Sequence, residues 1–335
     1  MRLFPLFALL AACTNDNDKD VDLEKQAILD VKALTATDLG ALADAAVAIQ
    51  SAAPAPDADG WGAGETAGME SAWKDARVAY ERVEGAIAVL FPDLDAATDE
   101  RYDGFIAEGP DDDLFDGEHV TGVHAIERIV WADRHPAWVV AFESALPDYT
   151  PAAFPADEAE ATRLRDELCQ RLVDDTVSMR DQFEPLALDS AAAFRGVIGS
   201  MAEQYEKVGL ASTGEDESRY AQHTLADMRA NLEGGHDIYT AFTPWLGSIE
   251  GGEALHAEIE QGFARVQAGY DALEGDAIPA VPETWNPDAP SAEDLATPYG
   301  QLWTLLSTEA DPTVEGSLVE RMSAAADLLG IPQLP

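Results

Sequence analysis

The chain has 335 residues, with 20 Lys and Arg against 64 Asp and Glu and a formal charge of −44. Such a polyanion repels phosphate backbones and anionic lipid, which excludes nucleic-acid recognition and docking through a basic patch. The apolar fraction of 47% exceeds that of acidic disordered segments, so the charge belongs on the surface of a protein with a core, where it attracts cations.

Met1-Arg2 is followed by an apolar run from Leu3 to Ala12 and then Cys13. This run is too short to cross a bilayer, which takes about 20 apolar residues, and it reads as a secretory signal over residues 1–12. The ending Leu10-Ala11-Ala12-Cys13 resembles a bacterial lipobox, which implies lipidation of Cys13. A conventionally cleaved signal is the alternative. Residues 13–22 are polar and patternless, as expected of a tether, and Thr14 rather than Asp after the cysteine favours the outer membrane over the inner. Cys169 is the one other cysteine. It sits in a leucine-rich run, reads as a small buried hydrophobe, and leaves no intrachain disulfide once Cys13 carries lipid.

From there the period is helical. Trp73, Ala76, Tyr80, Val83, Ile87 and Leu90 form one apolar stripe, predicting a helix over 65–91 that Pro92 closes. Similar stripes predict helices over 38–52, 120–132, 156–183, 190–208, 216–242, 249–274, 291–308 and 313–329. Loops are expected at 53–64, 92–118, 145–155 and 275–290, where Pro, Gly and Asp cluster. No alternating strands with hairpin turns occur. The fold class is all-α, built from antiparallel helix bundles, with Glu184-Pro185 dividing it into halves of about four helices at 23–185 and 186–333.

His124 and Glu127 lie three residues apart and project from one side of their helix. Glu127 shares a stripe with Val123 and Val130, so a carboxylate falls on an apolar face, where it needs a cation, a proton or hydrogen-bond donors. Glu81 and Glu84 repeat the spacing on the preceding long helix. If the two helices pack together, one imidazole and three carboxylates meet in a polar pocket, a donor set suited to Fe, Zn or Cu, with Asp93, Asp95 or Asp99 from the intervening loop as further oxygen donors. The same spacings also suit a solvated acidic face for the Glu pair, a structural His–Glu hydrogen bond, or pairing of Glu127 with Arg77 or Arg82. His119, His135, His223, His236 and His256 read as surface or capping groups. Zinc-protease, calcium-loop, phosphate-loop and serine-elbow motifs are absent.

Gly122-Val123-His124-Ala125-Ile126-Glu127 resembles the Gly-x-His-x-x-Glu signature of the imelysin-like family. Trp73-Lys74-Asp75-Ala76-Arg77, Glu81 to Glu84, Asp93-Leu94-Asp95, Thr213-Gly214-Glu215-Asp216 and Arg229 to Gly234 are similar, in order, to its EfeO/EfeM branch of periplasmic iron-uptake components, in a form without a cupredoxin domain. The resemblance covers about residues 65–245 and implies an imelysin-like all-α domain over 23–333, made of two four-helix-bundle-like halves with the site near their junction. It implies metal ligation by His124, Glu127, Glu81 and Glu84, with Asp99 where the loop spacing is shifted by one residue. The expected function is a lipid-anchored envelope protein, on the outer membrane or the periplasmic face, that binds a divalent or ferric ion for iron or copper acquisition. Its expected partners are the metal ion and an inner-membrane permease or surface protein. A metallopeptidase, in which the ion activates water, and a polymer- or partner-binding lipoprotein with a structural metal are the alternatives.

Overall fold

The structure, a computed structural model, describes residues 16–334. The expected signal segment and Cys13 lie outside these residues. Regular structure is entirely helical among the described residues: α1 (Asp16–Ala52), α2 (Ala67–Leu90), α3 (Pro92–Asp99), α4 (Tyr102–Glu108), α5 (Gly122–Val130), α6 (Ala137–Glu143), α7 (Glu158–Arg163), α8 (Cys169–Phe183), α9 (Ser190–Leu210), α10 (Thr224–Ser248), α11 (Gly252–Asp271), α12 (Ala292–Leu295), α13 (Pro298–Glu309) and α14 (Leu318–Leu328). The all-α expectation holds. No described helix is long and apolar enough to cross a membrane.

Helix boundaries follow local chemistry. Asp157 and Asp189 cap α7 and α9 by accepting hydrogen bonds from first-turn N–H groups, and Ser291, Thr297 and Ser317 do the same for α12, α13 and α14. The predicted helix over 156–183 is α7 and α8 joined by one widened π turn, Leu164–Leu168. Three expectations need correction. Helix α1 starts at Asp16, within the segment expected as a tether and far ahead of residue 38. The expected loop 92–118 contains α3 and α4. Residues 216–223, expected at the start of a helix, form turns ahead of α10.

There are two large cores, one mostly from residues before 185 but with Tyr220, the other mostly from residues after it. One joins α2, α5, α8 and the C-terminal part of α1 around Trp73, Ile126 and Leu168. The other joins α9, α10, α11, α13 and α14 around Phe194, Tyr239 and Met322, and receives Ala27 and Val31 from the N-terminal part of α1. Helix α1 thus contributes to both. Helix α2 packs against α1, α5, α9 and α10, and nearly every residue from Ala76 to Ile87 is buried. Its crossing with α9 is close enough that a Cβ on Gly196 would stand 2.0 Å from the Gly85 carbonyl oxygen. Two backbones in contact leave no room for side chains there.

Helix α5 is short but entirely buried. Gly122 opens it at φ +82, and a Cβ there would lie 2.3 Å from the Thr98 carbonyl oxygen. That contact sets the start of α5 against the end of α3 and so brings His124 beside Asp99. Gly122→Ala adds left-handed backbone strain to a clash with backbone and is expected to destabilise the protein by about 2 kcal/mol. Urea denaturation of the variant checks this.

Candidate metal centre

Six parts of the chain converge on one buried polar cluster. Arg77, Glu81 and Glu84 project from α2 at steps of four and three. Asp99 ends α3, and His124 comes from α5. Glu217 and Ser218 come from the turns before α10, and Lys207, Asp227 and Asn231 from α9 and α10. Arg77, fully buried, donates hydrogen bonds to Glu81, Asp99 and Glu217, the last at 2.8 Å, and lies 3.4 Å from Asp227. Lys207 Nζ sits among Glu81 Oε2 at 2.8 Å, both Glu84 oxygens at 3.1 Å and Glu217 Oε1 at 3.1 Å. Asn231 donates to Glu84, Ser218 donates to Asp227, and Gln204 ties Asn231 to Tyr270.

His124 is held from both sides. Its Nδ1 lies 2.7 Å from Glu127 Oε2, while Glu127 Oε1 accepts hydrogen bonds from the backbone N–H groups of Tyr220 and Ala221. Both Glu127 oxygens are therefore committed away from the cluster, and Glu127 orients the ring. The segment that supplies those N–H groups is anchored by Tyr220, which donates to Glu143, itself bonded by Arg128. On the opposite edge, His124 Nε2 is 3.3 Å from Asp99 Oδ1 without a hydrogen-bonding alignment. Glu217 Oε2 lies 3.1 Å from Lys207 Nζ and likewise lacks an aligned partner.

These two unpartnered atoms matter because buried polar atoms normally find partners. Donor atoms of Asp99, His124 and Glu217 lie within 4.8 Å of one another, and so do those of Glu81, Glu84 and Glu217. Imidazole and carboxylate bind a transition metal at about 2.0–2.2 Å, so such sets would have to close further around an ion. The donor chemistry fits an iron-, zinc- or copper-type ion. A cavity of about 330 Å³, lined by Glu84, Asp95, Asp99, Glu203, Lys207 and Glu217, adjoins the cluster. Acidic walls of this kind concentrate cations at the site.

Protonation follows from burial and neighbouring charge. Burial pulls the His124 ring down, but the adjacent Asp99 carboxylate and the bond of Glu127 outweigh it and raise the imidazole to about 9. Burial would raise Asp99, yet Arg77 and His124 hold it well below the carboxylate range. Burial lifts Glu84 to about 8 and Asp227 to about 8, against the lowering charges of Lys207 and Arg77 respectively. Glu81 is also pushed well up, by burial and the Glu84 charge.

The expected site residues are therefore distributed in three ways. His124 and Asp99 face each other, Glu81 and Glu84 gather around Lys207, and Glu127 stands behind the imidazole. Local spacing gave no sign of Lys207, Glu217 or Asp227, which arrive from other helices and turns. The segment Thr213 to Asp216, already noted for its resemblance, stops one residue short of Glu217. Of the remaining histidines, His223 departs from the surface reading. It is buried at the start of α10, 5.9 Å from the Trp73 ring between centroids, and neither ring nitrogen has a hydrogen-bond partner.

The chain matches the family described as Imelysin over residues 32–306. It is 25% identical over 204 residues to the iron uptake system component EfeO of Escherichia coli K12, covering 61% of this chain and 44% of that protein. It is 26% identical over 249 residues to the protein of the same name in Yersinia pseudotuberculosis, covering 72% and 56% respectively. The chain thus spans about half the length of the curated relatives it matches. A family match across most of the chain and an all-helical structure lead to one conclusion: this protein belongs to the imelysin family.

Proposed function

We propose that the protein captures an iron ion as cargo for uptake, holding it with Asp99, His124 and Glu217. In this reading Glu127 orients His124, and Glu81 and Glu84 set the charge of the cluster through Lys207 and the shared Glu217. One observation carries the proposal: His124 Nε2 and Glu217 Oε2 are buried and lack aligned partners, and their residues form with Asp99 a set whose donor atoms lie within 4.8 Å of one another. The name of the EfeO relatives supports iron over other ions of the same ligand preference. Lipid anchoring through Cys13 at the cell envelope and delivery to a membrane permease complete the reading. The mass of the N-terminal peptide from membrane-extracted protein checks the anchor.

Anaerobic titration with Fe²⁺, with Zn²⁺ in parallel, tests the site. His124→Ala removes the one nitrogen donor and is expected to weaken binding by about 100-fold or more. Glu127→Gln releases the ring without removing a donor and is expected to weaken it by about 10–100-fold. Equal affinity in the wild type and both variants would remove the site.

A further inference from the structure

We infer that the cluster contains two cation positions sharing Glu217, and that the ammonium of Lys207 permanently fills the second. The inference rests on the reading of Asp99, His124 and Glu217 as a cation site and adds to it the number of ions that the cluster admits.

The geometry around Lys207 is that of a cation in a cage. Its Nζ has oxygens of three different carboxylates between 2.8 and 3.1 Å away, and the same three residues have donor atoms within 4.8 Å of one another. An ammonium has three protons to donate, and here it meets five oxygens, one of Glu81 and both of Glu84 and of Glu217, so its placement follows charge as much as hydrogen bonding. Glu217 belongs to both groups of donors. Its Oε1 accepts from Arg77 and Lys207, while Oε2, although within 3.1 Å of Nζ, has no aligned donor. A carboxylate placed this way can bridge two cations, one on each side.

Charge supports the same arrangement. Glu81, Glu84, Asp99, Glu217 and Asp227 face two permanent cations, Arg77 and Lys207, plus the His124 ring. Removing the Lys207 charge leaves Glu84 without a cation and Glu81 and Glu217 with Arg77 alone, an unfavourable state that a metal ion relieves. Lys207 therefore acts as a tethered placeholder. It keeps the cage closed to a second ion, so the protein carries a single ion beside His124.

Equilibrium dialysis against Zn²⁺, followed by elemental analysis of the protein, tests this. The wild type is expected to bind one equivalent. Lys207→Met, which keeps the aliphatic stem and removes the charge, is expected to bind two, as is Lys207→Gln. One equivalent in both folded variants would overturn the inference while leaving the His124 site standing. No binding by the wild type but one equivalent in Lys207→Met would instead defeat the His124 reading and sustain the placeholder. A measurement with a cation kept at position 207 guards against loss of folding: Lys207→Arg is expected to bind one equivalent, like the wild type. Two equivalents in either would overturn the inference.

Discussion

Arg77→Met is expected to destabilise the protein by about 3–5 kcal/mol at pH 8, the range observed when one member of a buried ionic group is removed. Methionine approximates the length of the arginine stem but supplies neither charge nor donors. Arg77 is fully buried and links four carboxylates, of which Asp99, Glu217 and Asp227 lie in other parts of the chain. It is therefore the joint between α2, the end of α3, the turns before α10, and α10 itself. In a chain of this size such a loss lowers the melting temperature by roughly 4–7 °C. The exposed pair of Arg134 with Glu70 provides the contrast: Arg134→Met should cost well under 1 kcal/mol. Thermal and urea unfolding of both variants measure the difference. The deficit of Arg77→Met should shrink at pH 6, because protons then take over some of the neutralisation. A loss below about 1 kcal/mol at pH 8 would mean that the cluster is already protonated and does not depend on Arg77.

What the sequence made legible depended on how local each signal was. The stripe Trp73, Ala76, Tyr80, Val83 and Ile87 is buried as its spacing predicts, because a helix face is defined by residues close in sequence. The anomaly of Glu127 on an apolar face was equally local. Its resolution was not, since the N–H groups that answer it belong to Tyr220 and Ala221. Lys207 and Arg77 neutralise acids that sequence spacing offered to a metal ion or to solvent. Lys207 escaped notice because it lies more than 120 positions from Glu81 and Glu84. The first half of α1 was readable in principle: Ala27, Val31, Thr35, Leu39, Leu42, Ala46 and Ile49 form one continuous buried stripe. Alanines and a threonine along it carry too little hydrophobic contrast to stand out among the acids. Helices α3 and α4, with eight and seven residues, are too short to show a period within a segment rich in Pro, Gly and Asp.

The metal-free protein is expected to lose stability as pH rises from about 7 to 9. Burial acts against protonated His124, but Asp99 and Glu127 raise its pKa to about 9, above the 6.5 of a free imidazole. Its contribution is complete below 6.5 and disappears as pH rises through 9. Glu84 and Asp227, each raised to about 8 chiefly by burial, act in the same direction. The folded protein keeps protons that the unfolded chain has released, so stability falls as pH rises towards about 8, where the cost of burying the charged form is complete. Groups with lowered pKa, His223 and Asp99 among them, act oppositely but outside this interval. Burial holds His223 near 4, so its contribution is already complete above 6.5, whereas that of Asp99, held low by Arg77 and His124 against burial, fails only in acid. Each proton retained by the fold adds a slope of about 1.4 kcal/mol per pH unit. Urea unfolding in chelator at fixed ionic strength should show this decline, and Asp227→Asn should flatten it. Zn²⁺ should reverse the trend, because the ion competes with the same protons and its stabilisation grows as they leave. A level profile in chelator would mean that these groups release their protons alike in the folded and unfolded chain. The cluster would then have no excess charge for a metal ion to relieve.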